Sequence, residues 1–119
     1  MNFLNKSHKQ RFIREAKKLH PSNNSNMAAL FLLTANGKLW SIAKHHIQDS
    51  VINIKNIKLS ESGDQKAYTL LAIAKDLTLG TNYVQLRDLG DTSIISPKLL
   101  CITFAAISIK RNGIDQNLI

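Results

Sequence analysis

The sequence has a single cysteine and no apolar run long enough to span a membrane. Cys101 is the only cysteine among 119 residues, so no internal disulfide can form and nothing indicates an oxidising compartment. The longest mostly apolar run, residues 99–109, is far shorter than a bilayer span, and the polar, basic start is not followed by a signal-peptide core. We therefore expect a cytoplasmic protein that does not enter a membrane.

Acidic residues are scarce in the first half of the chain. Residues 1–58 contain ten Lys or Arg but only Glu15 and Asp49 as acids, whereas residues 59–119 contain six of each sign. The formal net charge of +8 therefore arises entirely in the first half. A one-sided charge produces a field that attracts polyanions or acidic partners, so we look for function on an electrostatic surface.

The histidines are not spaced to share a metal ion. His45 and His46 are adjacent, so on a helix they point about 100° apart and cannot chelate as an i, i+4 pair can. His8 and His20 have no cysteine or carboxylate at ligand spacing, and we expect them on the surface or as helix caps. No metal site is predicted.

No set of side chains forms a nucleophile, base and acid. Cys101 lies in an apolar segment without cations to lower its thiol pKa, so we expect an inert core residue. Asp88 and Asp91 flank Gly90, with Arg87 beside them, and such short acidic segments usually cap or form turns. We predict that the protein is not an enzyme, with no catalytic residue and no cofactor.

An apolar content of 44% is enough for one core of ordinary domain size. We predict a single domain over residues 1–119, an all-α compact bundle of about five helices, two of them buried, with frayed ends at 1–4 and 114–119. The second helix is expected to start at Ser25 or Asn26 and to stop at Asn36-Gly37. The other expected helices cover 6–19, 38–48, 66–79 and 97–111, with coil or a short strand at 51–59, one helical turn within 84–89, and a buried strand at 99–109 as an alternative to the last helix.

The first predicted helix is amphipathic. Asn5 is expected to cap it, and Phe12, Ile13, Ala16 and Leu19 fall within an arc of roughly 120°. Lys9 is the one charge inside that arc: either its ammonium group reaches outward on its aliphatic stem, or Lys9 marks where the arc meets a partner, so it is also a candidate binding residue. The opposite side carries the cations of the candidate binding face, Lys6, Arg11, Arg14, Lys17 and Lys18. Lys44 and His45 extend this face if the third helix lies near the first. The alternative is an ordinary solvated face, in which Glu15 pairs with Arg11 and Lys18.

Three segments of the sequence resemble a known pattern: residues 3–12 (FLNKSHKQRF), residues 29–33 (ALFLL) and Leu39-Trp40. They are similar to the opening of a family of small uncharacterised proteins from Gram-positive bacteria and their phages, over roughly the first 47 residues. The resemblance implies no reaction. It implies a phage or mobile-element setting, in which small proteins often bind and block a host machine.

These observations predict a phage-derived inhibitor or modulator of a host protein or nucleoprotein, of which a CRISPR effector is one candidate. The alternative is a nucleic-acid-binding accessory or regulatory protein that contacts phosphates. A helix-turn-helix reading of residues 27–47 is weaker, because packing explains Leu39 and Trp40 better than base contacts do. A homodimer through exposed apolar residues is compatible with so small a chain.

Overall fold

Helices dominate the structure, a computed structural model that describes residues 2–119. In this range the chain forms α1 (Lys6–Leu19), α2 (Asn24–Leu33), α3 (Gly37–Ala43), α4 (Gln65–Leu79), α5 (Leu86–Leu89) and α6 (Pro97–Asn112). A hairpin pairs β1 (Ile47–Gln48) with β2 (Val51–Ile52), and 3₁₀ turns cover Lys44–His46, Ile54–Asn56, Leu59–Glu61 and Gln116–Leu118. The predicted all-α fold is confirmed, and residues 99–109 are helical.

The short helix α2 lies at the centre of the bundle. Every residue from Asn26 to Leu33 is buried, and the helix packs against α1, α4 and α6. A helix with apolar side chains on all sides is stable only inside a core, so its neighbours must surround it. The longer α4 is buried over most of Ala67 to Lys75, as predicted for a central helix, although Tyr68 reaches the surface.

Local capping signals set most helix ends. The side chains of Asn5, Asp64 and Ser96 accept hydrogen bonds from the backbone N–H three residues later, at the starts of α1, α4 and α6. Gly80 ends α4 at φ +75°, a conformation that favours glycine. The predicted caps Asn5 and Ser96 and the end at Gly80 are confirmed.

The start of α2 differs from the prediction. Asn23, and neither Ser25 nor Asn26, caps this helix by accepting a hydrogen bond from the Asn26 N–H at 2.7 Å. The Asn26 side chain is buried instead, and it holds the hairpin: its Oδ1 accepts from the Ile52 N–H at 2.9 Å, and its Nδ2 donates to the Ser50 carbonyl at 3.0 Å.

The boundaries of α3 also differ. Asn36 accepts from the Leu39 N–H at 2.9 Å, so Asn36-Gly37 begins α3 and does not end α2. The helix stops at Ala43, before the predicted 48, because Ile47 pairs with Ile52 in the hairpin. This pairing also places a strand in 51–59, where coil or a short strand was expected.

One buried lysine holds the segment after the hairpin. Lys75 of α4 is 6% exposed, and its Nζ donates to the Ile54 carbonyl at 3.0 Å. Burial lowers the pKa of Lys75, because the charged ammonium loses its hydration. The bond fixes the first of the two 3₁₀ turns that lead into α4.

Phe3 and Leu4 pack on the core, although fraying was predicted for residues 1–4, of which Met1 lies outside the described residues. The Phe3 ring lies 5.3 Å from the His8 ring, 5.9 Å from Phe12 and 5.6 Å from Phe31, measured between centroids. At the other end, Ile114 and Ile119 also contact the core. Both ends therefore contribute to the described body of the protein, and α1 is anchored by an aromatic cluster.

Candidate binding surface on the first helix

The exposed side of α1 carries a shallow groove lined by cations. It is a shallow depression, open to solvent, between side chains of this one helix, and we name it the α1 basic groove; it is lined by Lys6, Lys9, Gln10, Ile13, Arg14 and Lys17. Because an α-helix rises 1.5 Å per residue, positions 6 and 17 span roughly 16 Å. Within residues 2–119, the three lysines of the groove form no ion pair. Uncompensated positive charge is therefore concentrated along three turns of one helix.

The buried side of α1 is rotated from the predicted arc. Phe12, Ala16 and Leu19 are buried as expected, but His8 and Glu15 are buried with them, and Ile13 is only partly covered. Ile13 consequently lies in the α1 basic groove, and Lys9 points to solvent beside it. The groove thus combines cations with an apolar side chain at its centre.

Arg11 does not belong to this groove. Its Nη1 donates to the Thr34 carbonyl at 2.6 Å, at the C-terminal end of α2, and the side chain is partly buried. The expectation that Arg11 forms part of the outward face is therefore wrong. A cation at a helix C-terminus satisfies carbonyls that lack a helical partner, and this is the role that the geometry gives Arg11.

Two further cations of the predicted face share one carboxylate. Glu15, whose side chain is 12% exposed, lies 3.1 Å from the Arg14 Nε and 3.4 Å from the Lys18 Nζ. The expected pair with Lys18 is confirmed, whereas Arg14 takes the place expected for Arg11. Glu15 lowers the positive potential at this edge, so the lysines Lys6, Lys9 and Lys17 dominate the groove.

Lys44 and His45 lie on the 3₁₀ turn that follows α3. Both are exposed, and neither forms a hydrogen bond or an ion pair with α1 in the described chain. The turn leads into the hairpin, and the structure gives these residues no part in the α1 basic groove.

His8 is a buried residue that the sequence reasoning placed on the surface or at a cap. It is 0% exposed, its Nδ1 accepts from the Leu4 N–H at 2.9 Å, and its Nε2 lies 2.7 Å from the Phe31 carbonyl. A carbonyl can only accept, so Nε2 carries the proton and the ring is neutral. Burial lowers the pKa of His8 to about 4; the bond to Phe31 opposes this shift, and the nearby Arg11 charge adds to it. No hydropathy pattern could reveal this position, since both partners are backbone groups.

Cys101 is exposed on α6, so the expectation of a core cysteine is wrong. The helix turns Ile102, Ala106 and Ile109 toward the core and leaves Cys101 and Phe104 outside. No group of three or more His, Cys, Asp or Glu that could hold a metal occurs in residues 2–119.

The acidic turn after α4 has a structural role. Asp88 accepts from the Gln85 N–H at 2.8 Å at the start of α5, and Asp91 accepts from the Ser93 N–H at 2.9 Å and the Ser93 hydroxyl at 2.6 Å. These bonds from Ser93 lower the pKa of Asp91. Both carboxylates therefore shape the turn, as predicted.

Packing accounts for the helix-turn-helix-like segment. Leu39, Trp40 and Ala43 are buried, and α3 has only seven residues. The helix that would have to enter a DNA groove thus turns its apolar side into the core, and α2 before it is buried from Asn26 to Leu33. We assign no base-reading helix to this segment.

Comparisons with known proteins add no assignment. No family model matches the chain, and neither a curated protein nor a solved structure is significantly similar to it. The resemblance to the phage-associated family therefore stays a prediction. None of the helices described in 2–119 has the length and apolar character needed to cross a membrane.

Proposed function

We propose that this chain is a non-enzymatic binding protein that docks on an acidic surface of a host protein or nucleoprotein through the α1 basic groove. The observation that supports this proposal is the alignment of Lys6, Lys9 and Lys17, unpaired within residues 2–119, along one exposed helix face. Such a face needs a rigid support, and α1 has one because its other side is anchored by buried Phe12 and His8.

The composition of the groove favours a protein partner over bare nucleic acid. Ile13 provides an apolar centre inside a charged rim, and protein interfaces in general combine an apolar core with a polar rim. Bidentate recognition of guanine needs an uncommitted guanidinium, but Arg11 is bonded to Thr34 and Arg14 to Glu15. The groove also contains no aromatic ring on which a base could stack.

The biological setting of this proposal comes from the sequence resemblance. A phage or mobile-element protein in the bacterial cytoplasm that blocks a defence complex needs a docking surface and no active site. Inhibition or modulation of a host machine is the form of binding that we propose. Leu86 and Phe104 are exposed apolar side chains, and light scattering would measure whether they support a homodimer.

The proposal can be tested with two triple variants of equal charge. The variant K6E/K9E/K17E reverses the lysines of the groove, and K44E/K55E/K58E reverses three exposed lysines outside it. Each replaces three positive by three negative charges, which changes the net charge by −6, from +8 to +2. Immobilised proteins are exposed to nuclease-treated lysate of a low-GC Gram-positive bacterium, and captured proteins are identified by mass spectrometry.

We expect the unaltered chain and K44E/K55E/K58E to retain the same protein, and K6E/K9E/K17E to lose it while keeping its helical circular dichroism. Equal capture by all three folded proteins would exclude the α1 basic groove as the docking site. Loss in the second triple alone would move the site to the surface around Lys44.

Direct binding to nucleic acid is measured separately with a duplex DNA probe. If the groove contacts phosphates, three to four cations should give a log–log salt slope of roughly −3 to −4. Under our proposal, the duplex binds weakly and nuclease treatment does not release the captured protein. Tight duplex binding with that slope, abolished in K6E/K9E/K17E, would establish the alternative function and refute ours.

A further inference from the structure

A second concave surface lies away from the α1 basic groove. It is a recess of about 310 Å³ between the first turns of α4 and α6 and the loop before α6. Leu70, Ala35 and Ile102 line it and are 4%, 6% and 1% exposed, so they form an apolar floor. Leu99 and the half-exposed Ile94 add apolar walls. Its volume falls at the lower end of the range for small-molecule sites, about 300–1,000 Å³.

The charged groups of the recess have one sign. Lys66 and Lys98 line it, and no carboxylate does so among residues 2–119. Neither lysine forms an ion pair in that range. Both are exposed, so their ammonium groups are available to an anion that enters from solvent.

Several hydroxyl groups around the recess are already committed. Thr69 donates to the Gln65 carbonyl at 2.9 Å, Ser93 donates to Asp91 at 2.6 Å, and Ser96 accepts from the Leu99 N–H at 3.2 Å. A ligand therefore finds an apolar floor in the interior and lysine ammonium groups as the strongest uncommitted polar partners.

We propose that this recess binds a small amphiphile with an anionic head group and an apolar body. The apolar floor would cover the body, and Lys66 and Lys98 would bind the head. At about 30 Å³ per water-sized group, the recess of about 310 Å³ holds roughly ten non-hydrogen atoms. Octanoate has about this size. The proposal does not depend on the α1 basic groove.

Three unbranched probes with eight carbon atoms each separate the head group from the body. Octanoate, octyl phosphate and 1-octanol are each titrated into the ¹⁵N-labelled protein, and amide chemical shifts are recorded. We expect saturable shifts at Lys66, Thr69 and Leu99, with a dissociation constant near about 1 mM or below for the anions and about tenfold weaker binding of the alcohol. Whichever anion binds more tightly identifies the preferred head group.

Variants test separately the lysines that would bind the head group and the apolar wall that would contact the body. K66E/K98E should weaken binding of both anions by about tenfold and leave 1-octanol unchanged, because only the charge contact is lost. I94A removes part of an exposed apolar wall and should weaken all three probes by roughly threefold. The matched control K55E/K58E changes the net charge equally and should alter none of the three affinities.

Three results would overturn the proposal. The first is that neither anion causes saturable shifts at concentrations well above about 1 mM. The second is that the anions bind no more tightly than 1-octanol. The third is that folded K66E/K98E binds the anions as the unaltered protein does. Shifts confined to the α1 basic groove would equally refute it, since they would place the ligand elsewhere.

Discussion

The neutral ring of His8 joins the start of the chain to the end of α2. Its Nδ1 accepts from the Leu4 N–H, and its Nε2 donates to the Phe31 carbonyl. A second proton would place an N–H opposite the Leu4 N–H, so protonation replaces a hydrogen bond with a contact between two donors. Because Phe3 packs against the His8 ring, the two hydrogen bonds of His8 also determine how Phe3 and Leu4 lie on the core.

This geometry predicts a loss of stability in mild acid. In the folded state burial lowers the pKa of His8 to about 4, whereas the unfolded value is near 6.5, so the unfolded chain binds more protons between these values. The contribution of His8 is complete above about pH 6.5, declines as the pH falls, and is lost near pH 4. A shift from about 6.5 to about 4 corresponds to about 3 kcal/mol. Urea unfolding at pH 7, 5.5 and 4.5 measures it.

The variants H8Q and H45Q test whether this pH dependence of stability arises from His8. Glutamine does not titrate, so H8Q should be less stable at pH 7 but should lose less stability than the unaltered protein on going to pH 4.5. His45 is exposed, and H45Q should follow the unaltered protein throughout. Parallel pH profiles for H8Q and the unaltered protein would contradict the assignment to His8.

Asn26 gives a second prediction for a single residue. Asn26→Ala leaves the Ile52 N–H and the Ser50 carbonyl without their side-chain partner, and an unsatisfied buried group destabilises by about 1–3 kcal/mol. We expect a loss of about 2–3 kcal/mol in the free energy of unfolding, measured by urea denaturation. The exposed neighbour Asn24 serves as control, and N24A should change stability by less than about 0.5 kcal/mol. Equal effects of the two substitutions would contradict the role of Asn26.

These two residues show why single-residue roles were hard to predict. Hydropathy assigns histidine and asparagine to the surface or to caps, whereas here each is buried because a distant backbone group satisfies it. His8 meets Phe31, and Asn26 meets Ile52, 26 residues away. Burial of Glu15 has a local origin instead, since its charge is compensated by Arg14 and Lys18 on the same helix.

At the scale of elements, boundaries set by neighbouring residues were predictable from sequence. The helices α1, α4 and α6 start or stop where Asn5, Ser96 and Gly80 stand, because these signals act within one turn. The end of α3 was not predictable, since it depends on pairing between Ile47 and Ile52. Asn36-Gly37 was misassigned because asparagine caps helix starts as readily as Asn-Gly ends helices.

Arg11, which joins α1 to the end of α2, is expected to contribute to stability and not to binding, unlike the lysines of the α1 basic groove. In Arg11→Met the Thr34 carbonyl loses a donor while the aliphatic stem is retained, and we expect a loss of about 1–2 kcal/mol in unfolding free energy. Capture of the protein partner by folded R11M should be unchanged, because Arg11 lies outside the α1 basic groove. Lys17→Glu is the opposite case, with little change in stability and weaker capture. If R11M kept full stability but captured less of the partner, Arg11 would be a binding residue and this prediction would be wrong.

At the scale of the whole molecule, the excess positive charge of the first half is only partly gathered on one surface. Arg11 bonds α2 and Lys38 lies 3.7 Å from Asp64, whereas Lys6, Lys9 and Lys17 line the α1 basic groove. Sequence could locate the cations on the first helix because helical periodicity is local. It could not tell which of them the fold would use internally, since Thr34 and Asp64 come from other segments.

Heparin chromatography tests whether the α1 basic groove dominates the electrostatic field of the protein, and it does not require the partner to be identified. The variants K6E/K9E/K17E and K44E/K55E/K58E have the same net charge of 8 − 6 = +2, so a uniform charge distribution predicts equal retention. If the groove forms the main contact with the polyanion, the first triple should lower the slope of log retention against log salt by about 3, and the second by less than about 1. Coincident slopes for the two folded variants would mean that the positive charge acts evenly over the surface, and the groove would then have no electrostatic preference for an acidic partner.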